Sequence, residues 1–473
     1  MTQTLPNHYR DTLMPHPDTH AEGPKIYQAG TLTYTKGGLM ALSTWLLFGD
    51  FALTFFEQVF GRYIPIYLKD LQASNTLIGL MTGSFAGLVN VFFLPGISRW
   101  SDEFRSSIGR RIPFLYVVAP LTVLSVVGVG FAPELGRWLH AHLPAQLSES
   151  VSESVFVLAL LCVLTVSFHF FNMVLINAYN WLLRDVVPLV VMSRFLAWFS
   201  IVGTASTTLF LWFVFPHFAT HRWQIFLGVG VFYLVAFMMM CLKVKEGEYP
   251  APTPRDDRPG FFKTFAVYFR ECLQVPIYRH FFLLYLLITV ALTCANSFIT
   301  LFASSTLGID LGDIGHVFAW SSGISLLFFY PLGWLCDRYS PLHVTLGAII
   351  GMLAGSILAL VLIQTKAAFL TYSIAISLPT VAWYLGQKAM SMKLFPSEKF
   401  GQFSGGLNVF GCGALIVGNI LIGVLMDVSE SNYRLAFLWT AILCAAAIFP
   451  MVIVIREWRR LGGHDNYDAP LPK

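Results

Sequence analysis

Long apolar runs alternate with short polar breaks along most of the chain. A membrane-spanning helix needs about 20 predominantly apolar residues, and twelve runs reach this length. Their predicted ranges are 39–66, 75–98, 112–132, 154–179, 195–216, 223–243, 281–303, 314–336, 342–363, 368–391, 402–426 and 434–455. The pattern therefore predicts an all-α membrane protein with twelve transmembrane helices.

Composition supports this prediction. With 56% hydrophobic and only 12% charged residues, the chain has too little polar surface for a water-soluble globule. The formal charge of +4 is small, so nucleic acid is not expected as a partner, whereas the lipid bilayer is. The seven cysteines lie in or next to apolar runs without a C-x-x-C pair, which favours neither a disulfide framework nor a zinc site.

The distribution of positive charge predicts the orientation. With the amino terminus inside, 24 of the 30 Lys and Arg residues fall in the tails and inward loops. The other six are Arg62, Lys69, Arg137, Arg222, Lys366 and Arg434. Because cytoplasmic loops carry the excess of Lys and Arg, both termini are predicted to be cytoplasmic. We expect a multi-pass protein of the cell (inner) membrane.

Polar breaks divide the chain into two halves. The first polar stretch, residues 1–36, is predicted to be a disordered cytoplasmic tail. The two six-helix halves are predicted at 37–243 and 281–456, with a cytoplasmic linker between them at 244–280 and a second cytoplasmic tail at 457–473. Within the linker, the helical spacing of apolar residues from Phe261 to Leu273 predicts a helix lying on the membrane interface. An ordinary connecting helix packed on the protein is the alternative.

The two halves also look like repeats. The polar exit Ser98-Arg-Trp-Ser-Asp102 follows helix 2, and Gly333-Trp-Leu-Cys-Asp337-Arg338 follows helix 8. The loops after helices 4 and 10 each carry a proline. Two related six-helix halves around a central pathway form a transporter architecture.

Ser101-Asp102, followed by the run from Gly109 to Phe114 (G-R-R-I-P-F), resembles a motif of the major facilitator superfamily. Within it, the chain is similar to the glycoside-pentoside-hexuronide cation symporters and the related sucrose carriers. The second exit is a weaker copy of the motif, and Asn172 and Asp185 also match family positions. The resemblance implies a major facilitator fold and cation-coupled transport of a sugar or glycoside.

The chain departs from the family pattern in two places. Ser98 stands where the loop motif usually has glycine. His169 stands where sucrose carriers place an aspartate within the membrane. The second departure bears on the coupling mechanism.

The charged residues of the motif predict a conformational latch. Asp102 ends helix 2 and Arg110 and Arg111 precede helix 3, so they can form charge-assisted bonds to carboxylates or to exposed helix ends. Asp337 and Arg338 would be the corresponding latch residues of the second half. Alternatively, Arg110 and Arg111 only enforce topology and bind lipid phosphate.

Three ionisable residues within predicted helices are candidates for ion coupling. Asp50 and Glu57 are seven residues apart and so lie on one face of helix 1. Because histidine as a residue type titrates near physiological pH, His169 favours a proton over sodium as the coupling ion. The alternatives are that Glu57 pairs with Arg62 and that His169 is a hydrogen-bonded packing residue. We expect no cofactor and no metal site.

Polar positions on four helices are candidates for binding the solute. Their side chains combine amides with a hydroxyl and an aromatic ring, a set that fits the hydroxyls and apolar ring faces of sugars. They are Asn172, Asn177 and Asn180 on helix 4, Asn296 and Thr300 on helix 7, Trp383 and Gln387 on helix 10, and Asn408 on helix 11. Because no Lys or Arg is convincingly placed in a central cavity, a neutral solute is favoured.

Motifs of hydrolytic or redox enzymes and of nucleotide-driven pumps are absent from the sequence. We therefore predict no enzyme but a monomeric secondary transporter that imports a sugar or glycoside with a proton by alternating access. One alternative is a carrier of another small polar solute, such as a nucleoside or an organic acid. The other is a non-transporting membrane receptor or scaffold.

Overall fold

The computed structural model describes residues 27–249, 270–396, 399–463 and 467–471. Long helices dominate this part of the chain. Their bounds are α1 Lys36–Asp70, α2 Asn75–Glu103, α3 Ile112–Gly130, α4 Glu153–Val186, α5 Leu189–Phe213, α6 Phe218–Lys243, α7 Pro276–Thr306, α8 Leu311–Tyr339, α9 Pro341–Leu362, α10 Lys366–Leu394, α11 Phe400–Val428 and α12 Leu435–Arg460.

By length and composition, 11 helical segments of the described chain are able to cross a membrane. One of them, Arg194–Lys243, is interrupted by the 3-10 turn Phe215–His217 and so consists of α5 and α6. Counted by helix, the twelve predicted spans are all present, and several extend beyond the apolar runs. The face at which α1 begins and α12 ends is called the termini face below, and the other is called the opposite face.

Side-chain caps fix where several helices begin. The hydroxyl of Thr35 accepts the Gly38 N–H at the start of α1, and that of Ser74 accepts the Leu77 N–H at the start of α2. Such caps satisfy N–H groups that have no partner within the helix. The apolar run alone does not show these starts, because the first turn is polar.

Two hydrophobic cores show how the halves meet. One fills the N-terminal half and continues into the C-terminal half through residues such as Phe298, Ile422 and Phe437. The other is confined to the C-terminal half near the termini face and includes Trp383 and Trp458. The halves therefore share apolar packing toward the opposite face.

The segments flanking the first half are also ordered in part. Residues Tyr27–Ala29 and Leu32–Tyr34 form an antiparallel hairpin, so the tail predicted to be disordered is structured from residue 27. The Thr31 hydroxyl of this hairpin accepts the Glu248 N–H at 2.8 Å, just after α6. Residues 270–274 are helical, and the remainder of the predicted interfacial helix lies outside the described residues.

Candidate functional site

Helices α2 and α11 touch closely across the two halves near the opposite face. Gly79, Gly83 and Gly87 recur at every fourth position of α2 and face α11. A Cβ at Gly87 would lie 2.7 Å from the Ile416 side chain, and one at Gly79 would overlap the Asn419 carbonyl oxygen. Only glycine permits this approach, as in other closely packed membrane helices.

Polar groups lock the same contact at its outer end. Asp427 of α11 accepts hydrogen bonds from the backbone and side chain of both Asn75 and Thr76, at 2.5–2.9 Å. The carboxylate thus sits on the N-terminus of α2, where the helix dipole favours negative charge. Ser431 and Tyr433 bind the Asn75 side chain at 2.9 and 2.8 Å. We call these five residues the clasp.

A second contact between the halves joins α5 to α8 near the opposite face. The Thr208 hydroxyl donates to the Ser322 hydroxyl at 3.1 Å. The ring of Trp212 lies 4.8 Å from that of His316 and 5.6 Å from that of Trp320. With the clasp, this contact closes the bundle on the opposite face.

Below these contacts the halves enclose a cavity of about 550 Å³, which we call the central cavity. It is lined by α1 and α5 from the first half and by α7, α8, α9, α10 and α12 from the second. Most of its polar groups are hydroxyls, with one amide, and they include Thr204, Thr293, Asn296, Ser321, Ser377 and Tyr384. The lining can hydrogen-bond a solute that carries several hydroxyls.

Arg62 is the one charged residue among the described residues that line this cavity. Its guanidinium carbon lies 4.9 Å from the centre of the Phe318 ring of α8. Its Nη1 is buried without a hydrogen-bond partner. The expectation of a cavity without a cation was therefore wrong, since α1 runs straight through this position and aims the side chain inward.

Asp50 lies in the core of the first half, with 3% of its surface exposed. Its Oδ2 is buried without a hydrogen-bond partner, and a Cβ at Gly203 of α5 would lie 3.6 Å from it. None of the ion pairs found in the described chain includes Asp50. A carboxyl in this setting is costly to ionise unless a cation joins it.

Glu57 and His169 do not contact Asp50. Asn172 of α4 donates to Glu57 Oε1 at 3.0 Å, so the amide of Asn172, and not Arg62, is the partner of this carboxylate. His169 Nε2 is 2.7 Å from the Met81 carbonyl oxygen, and the ring is 8% exposed. The structure therefore joins two predicted residues and places His169 in the packing role named as its alternative.

The other predicted solute ligands are scattered. Asn177 and Asn408 line a cleft of about 760 Å³ that separates α2 and α4 from α11 toward the termini face. Gln387 shares a smaller pocket with Asn408. Of the pair on α7, Asn296 lines the central cavity, whereas Thr300 is buried and donates to the Asn296 carbonyl oxygen at 3.2 Å.

Two of these predictions disagree with the structure. Trp383 is 1% exposed in the second core, and its neighbour Tyr384 lines the cavity instead. Successive side chains on a helix point in directions about 100° apart, so the ring that faces the cavity belongs to Tyr384 and not to Trp383. Asn180 is exposed on α4 and is not among the cavity residues.

The charged residues between α2 and α3 form a network within the first half. Arg110 binds Asp185 of α4 at 3.0 Å, and Arg111 binds Asp185 at 3.4 Å, Ser101 at 2.6 Å and also Asp102. Burial alone would lower the pKa of Arg110, but its hydrogen bond to Asp185 and that residue's charge raise the pKa overall.

Two residues beyond α6 complete this network. Glu246 accepts the backbone N–H groups of Arg110, Arg111 and Ile112 at 2.6–3.0 Å, so it caps the start of α3. The Tyr249 hydroxyl donates to Glu246 at 2.8 Å and to Asp185 at 3.2 Å. Burial, and then the charge of Glu246, raises the pKa of Tyr249. We call this set, with Asp102, the loop network.

In the second copy of the motif, Arg338 lies against two aromatic rings. The Arg338 guanidinium carbon lies 5.1 Å from the ring centre of Trp334 and 5.8 Å from that of Tyr339. The side chain of Asp337 lies outside the described part of the structure.

Three features of the structure were not predicted from the sequence: Arg62 as a cavity residue, the clasp, and Glu246 as a helix cap. The G-x-x-x-G-x-x-x-G spacing in α2 was nevertheless a signal for the close contact between α2 and α11.

Solved structures with the same architecture are membrane transporters. A bacterial homologue of the iron transporter ferroportin in an inward-facing state has a TM-score of 0.64 at 13% identity, over 88% of this chain and 99% of its own. In the outward-facing state the TM-score is 0.57, over 87% of this chain and 99% of the other. The nucleoside transporter NupG has a TM-score of 0.62 at 12% identity, over 88% of this chain and 98% of its own. No curated protein matches the chain.

These likenesses define the fold, an all-α bundle of the major facilitator type, as predicted. The chain belongs to the MFS/sugar transport protein family, whose model matches residues 46–400. It is therefore a multi-pass membrane transporter of a small-molecule solute and not an enzyme.

Proposed function

We propose that this transporter carries a polyhydroxylated solute of the sugar class, coupled to a proton, by alternating access. The observation that carries the proposal is the hydroxyl-lined cavity of about 550 Å³ between the halves. Its size falls within the range of small-molecule sites. Among the described residues, the halves touch toward the opposite face and part toward the termini face, and a cavity between them fits a solute pathway.

The hydroxyl groups of the lining favour a solute that donates hydrogen bonds. Thr204, Ser321 and Thr380 each donate to a backbone carbonyl oxygen, at 2.7–2.8 Å. Their own oxygens still have lone pairs free to accept. Sugar hydroxyls are suitable donors, and Tyr384 offers the aromatic surface for a ring face.

Asp50 is the proposed coupling site. A buried carboxyl without a cation partner is stable when it holds a proton, and it is stable when ionised only if a charge joins it. The Glu57 and Asn172 pair is the second acidic group of the same half. Proton transfer at Asp50 would change the charge of the first half as it reorients.

The distribution of positive charge supports the direction of opening. Since 24 of 30 Lys and Arg residues lie on the side of the termini, that side is assigned to the cytoplasm. The cleft beside α11 is then open to the cytoplasm, and the clasp closes the external face. On this assignment, the structure corresponds to an inward-open state.

Uptake by proteoliposomes tests the proposal. A panel of sugars and polyols is offered under an imposed proton gradient, and separately under a sodium gradient. We expect accumulation with the proton gradient, and we expect Asp50→Asn to abolish accumulation while solute exchange persists. Asp313→Asn, at an exposed carboxyl of α8, is the matched control. Accumulation driven by sodium alone, or no flux of any solute, would contradict the proposal.

A further inference from the structure

Arg62 has no anion or carbonyl oxygen to bind in the described structure, unlike Arg434. Arg434, also within the bundle, donates to the Leu360 and Ile363 carbonyl oxygens at 2.8 Å each. Arg62 has only the face of Phe318, and its Nη1 is buried without a hydrogen-bond partner. An arginine keeps its charge in proteins, so these N–H donors remain available for a ligand.

The acids of the first half do not neutralise it. Glu57 is five positions away on α1, but it is bound to Asn172. Asp50 lies within the core behind the cavity wall. No Asp or Glu is found among the described residues that line the central cavity, so the field at its polar end is positive.

The donors and acceptors of the cavity are also unevenly divided. Several lining hydroxyls donate to backbone carbonyl oxygens and so offer lone pairs to a ligand. Acceptor groups of a ligand can bind the Asn296 amide or the hydroxyls of Thr293 and Tyr384, but among the described lining residues only Arg62 offers a positively charged donor. A carboxylate suits the planar guanidinium, which can bind both of its oxygens. A dianionic phosphate would leave one charge uncompensated.

We infer that the transported solute is a monoanion, a hydroxylated carboxylate whose acid group binds Arg62. This inference rests on the proposed function. It replaces the neutral solute that the sequence favoured with an anionic one. Arg62 belongs to the first half and Asn296 to the second, so a solute whose carboxylate binds Arg62 while another group binds the Asn296 amide contacts both halves. Binding would then be sensitive to the relative position of the halves.

Matched pairs of solutes test the inference in purified protein. Gluconate is compared with glucitol, glycerate with glycerol, and glucuronate with glucose, by thermal stabilisation in detergent and by counterflow in proteoliposomes. At least one carboxylate should stabilise the wild type more than its neutral partner. Arg62→Gln should weaken that binding about tenfold or more.

Two control variants separate charge from fold. Arg137→Gln removes a positive charge from an exposed side chain and should leave the preference unchanged. Arg62→Lys keeps the charge but loses the two parallel N–H donors of the guanidinium. Its affinity for the carboxylate should therefore lie between those of the wild type and Arg62→Gln. The unfolding temperature without solute shows whether each variant is folded.

The two proposals fail in different ways. Equal stabilisation by the neutral partners, or none by any carboxylate, would overturn the inference even if sugars are transported. Carboxylate binding that depends on Arg62, but with no flux under any gradient, would support the inference and contradict the proposed transport.

Discussion

The two faces of the bundle each hold a carboxylate at a helix N-terminus, yet the two arrangements connect different parts. On the opposite face, Asp427 of α11 binds the start of α2, so it joins the two halves. On the termini face, Glu246 binds the start of α3, so it joins elements of one half. The same interaction thus serves as a bridge at one face and as internal bracing at the other.

This difference explains the state of the motif between α2 and α3. The guanidinium groups of Arg110 and Arg111 bind Asp185 and Asp102, which also belong to the first half. The Asp102 side chain is 54% exposed beside the cleft. The latch function of this motif remains a prediction.

The helix contact beside the clasp is the most sensitive point of the comparison. In Gly79→Ala the new methyl group would overlap the Asn419 carbonyl oxygen, which belongs to a helix backbone and cannot turn away. We expect the closed opposite face to lose about 3 kcal/mol or more, the upper end for overpacking. Hydrogen exchange in residues 75–84 should rise strongly.

Gly96→Ala is the control on the same helix, because a Cβ there meets nothing within 4 Å. If the two variants exchange at the same rate, the contact between α2 and α11 does not hold the face closed.

The clasp carboxylate should have the next largest effect. Asp427→Ala leaves the N–H groups of Asn75 and Thr76 without their acceptor. Bonds to a charged acceptor contribute about 2–3 kcal/mol, so the population open on the opposite face should rise about 30- to 150-fold. Distances between spin labels placed on α2 and α11 would measure this shift.

Asp313→Ala tests whether the loss of any carboxylate on the opposite face has the same effect as Asp427→Ala. Its partner Lys366 belongs to the same half. The label distances should therefore stay as in the wild type, and an equal shift would show that the clasp has no special part.

Features that depend on neighbouring residues could be predicted from the sequence, whereas contacts between distant residues could not. Apolar length is a local property, so the twelve helices were predicted with most of their ends within a few residues of those in the structure. Asp427 finds its partner more than 300 positions away, and nothing in the spacing around it signals this pairing.

The candidate site shows the limit most clearly. Arg62 was counted among the six positive charges on the side opposite the termini, whereas α1 continues to Asp70 and Arg62 lines the central cavity. Trp383 and Tyr384 show that helix phase, which packing sets, decides which of two adjacent rings faces the cavity. Asn172 was predicted as polar lining, but only the fold shows that its amide serves Glu57.

On the termini face, removal of the internal brace should destabilise one half without changing access. Glu246→Ala leaves three N–H groups at the start of α3 uncapped. Loss of a helix cap costs about 1–2 kcal/mol. We expect a lower unfolding temperature with unchanged label distances between α2 and α11. A shift of those distances would contradict the view of Glu246 as internal bracing.

Tyr249→Phe should have the smallest effect, and the size of that effect depends on pH. The hydroxyl donates to Glu246 and Asp185, so its loss should cost about 1 kcal/mol at neutral pH. Because burial raises the pKa of Tyr249, the folded protein holds this proton more tightly than the unfolded chain. That stabilisation is complete below about pH 10, the tyrosine value in the unfolded chain, and falls as the pH rises further. The difference in unfolding temperature between wild type and Tyr249→Phe should therefore narrow above pH 10, and a difference that widens there would show that the hydroxyl is not bound to these acids.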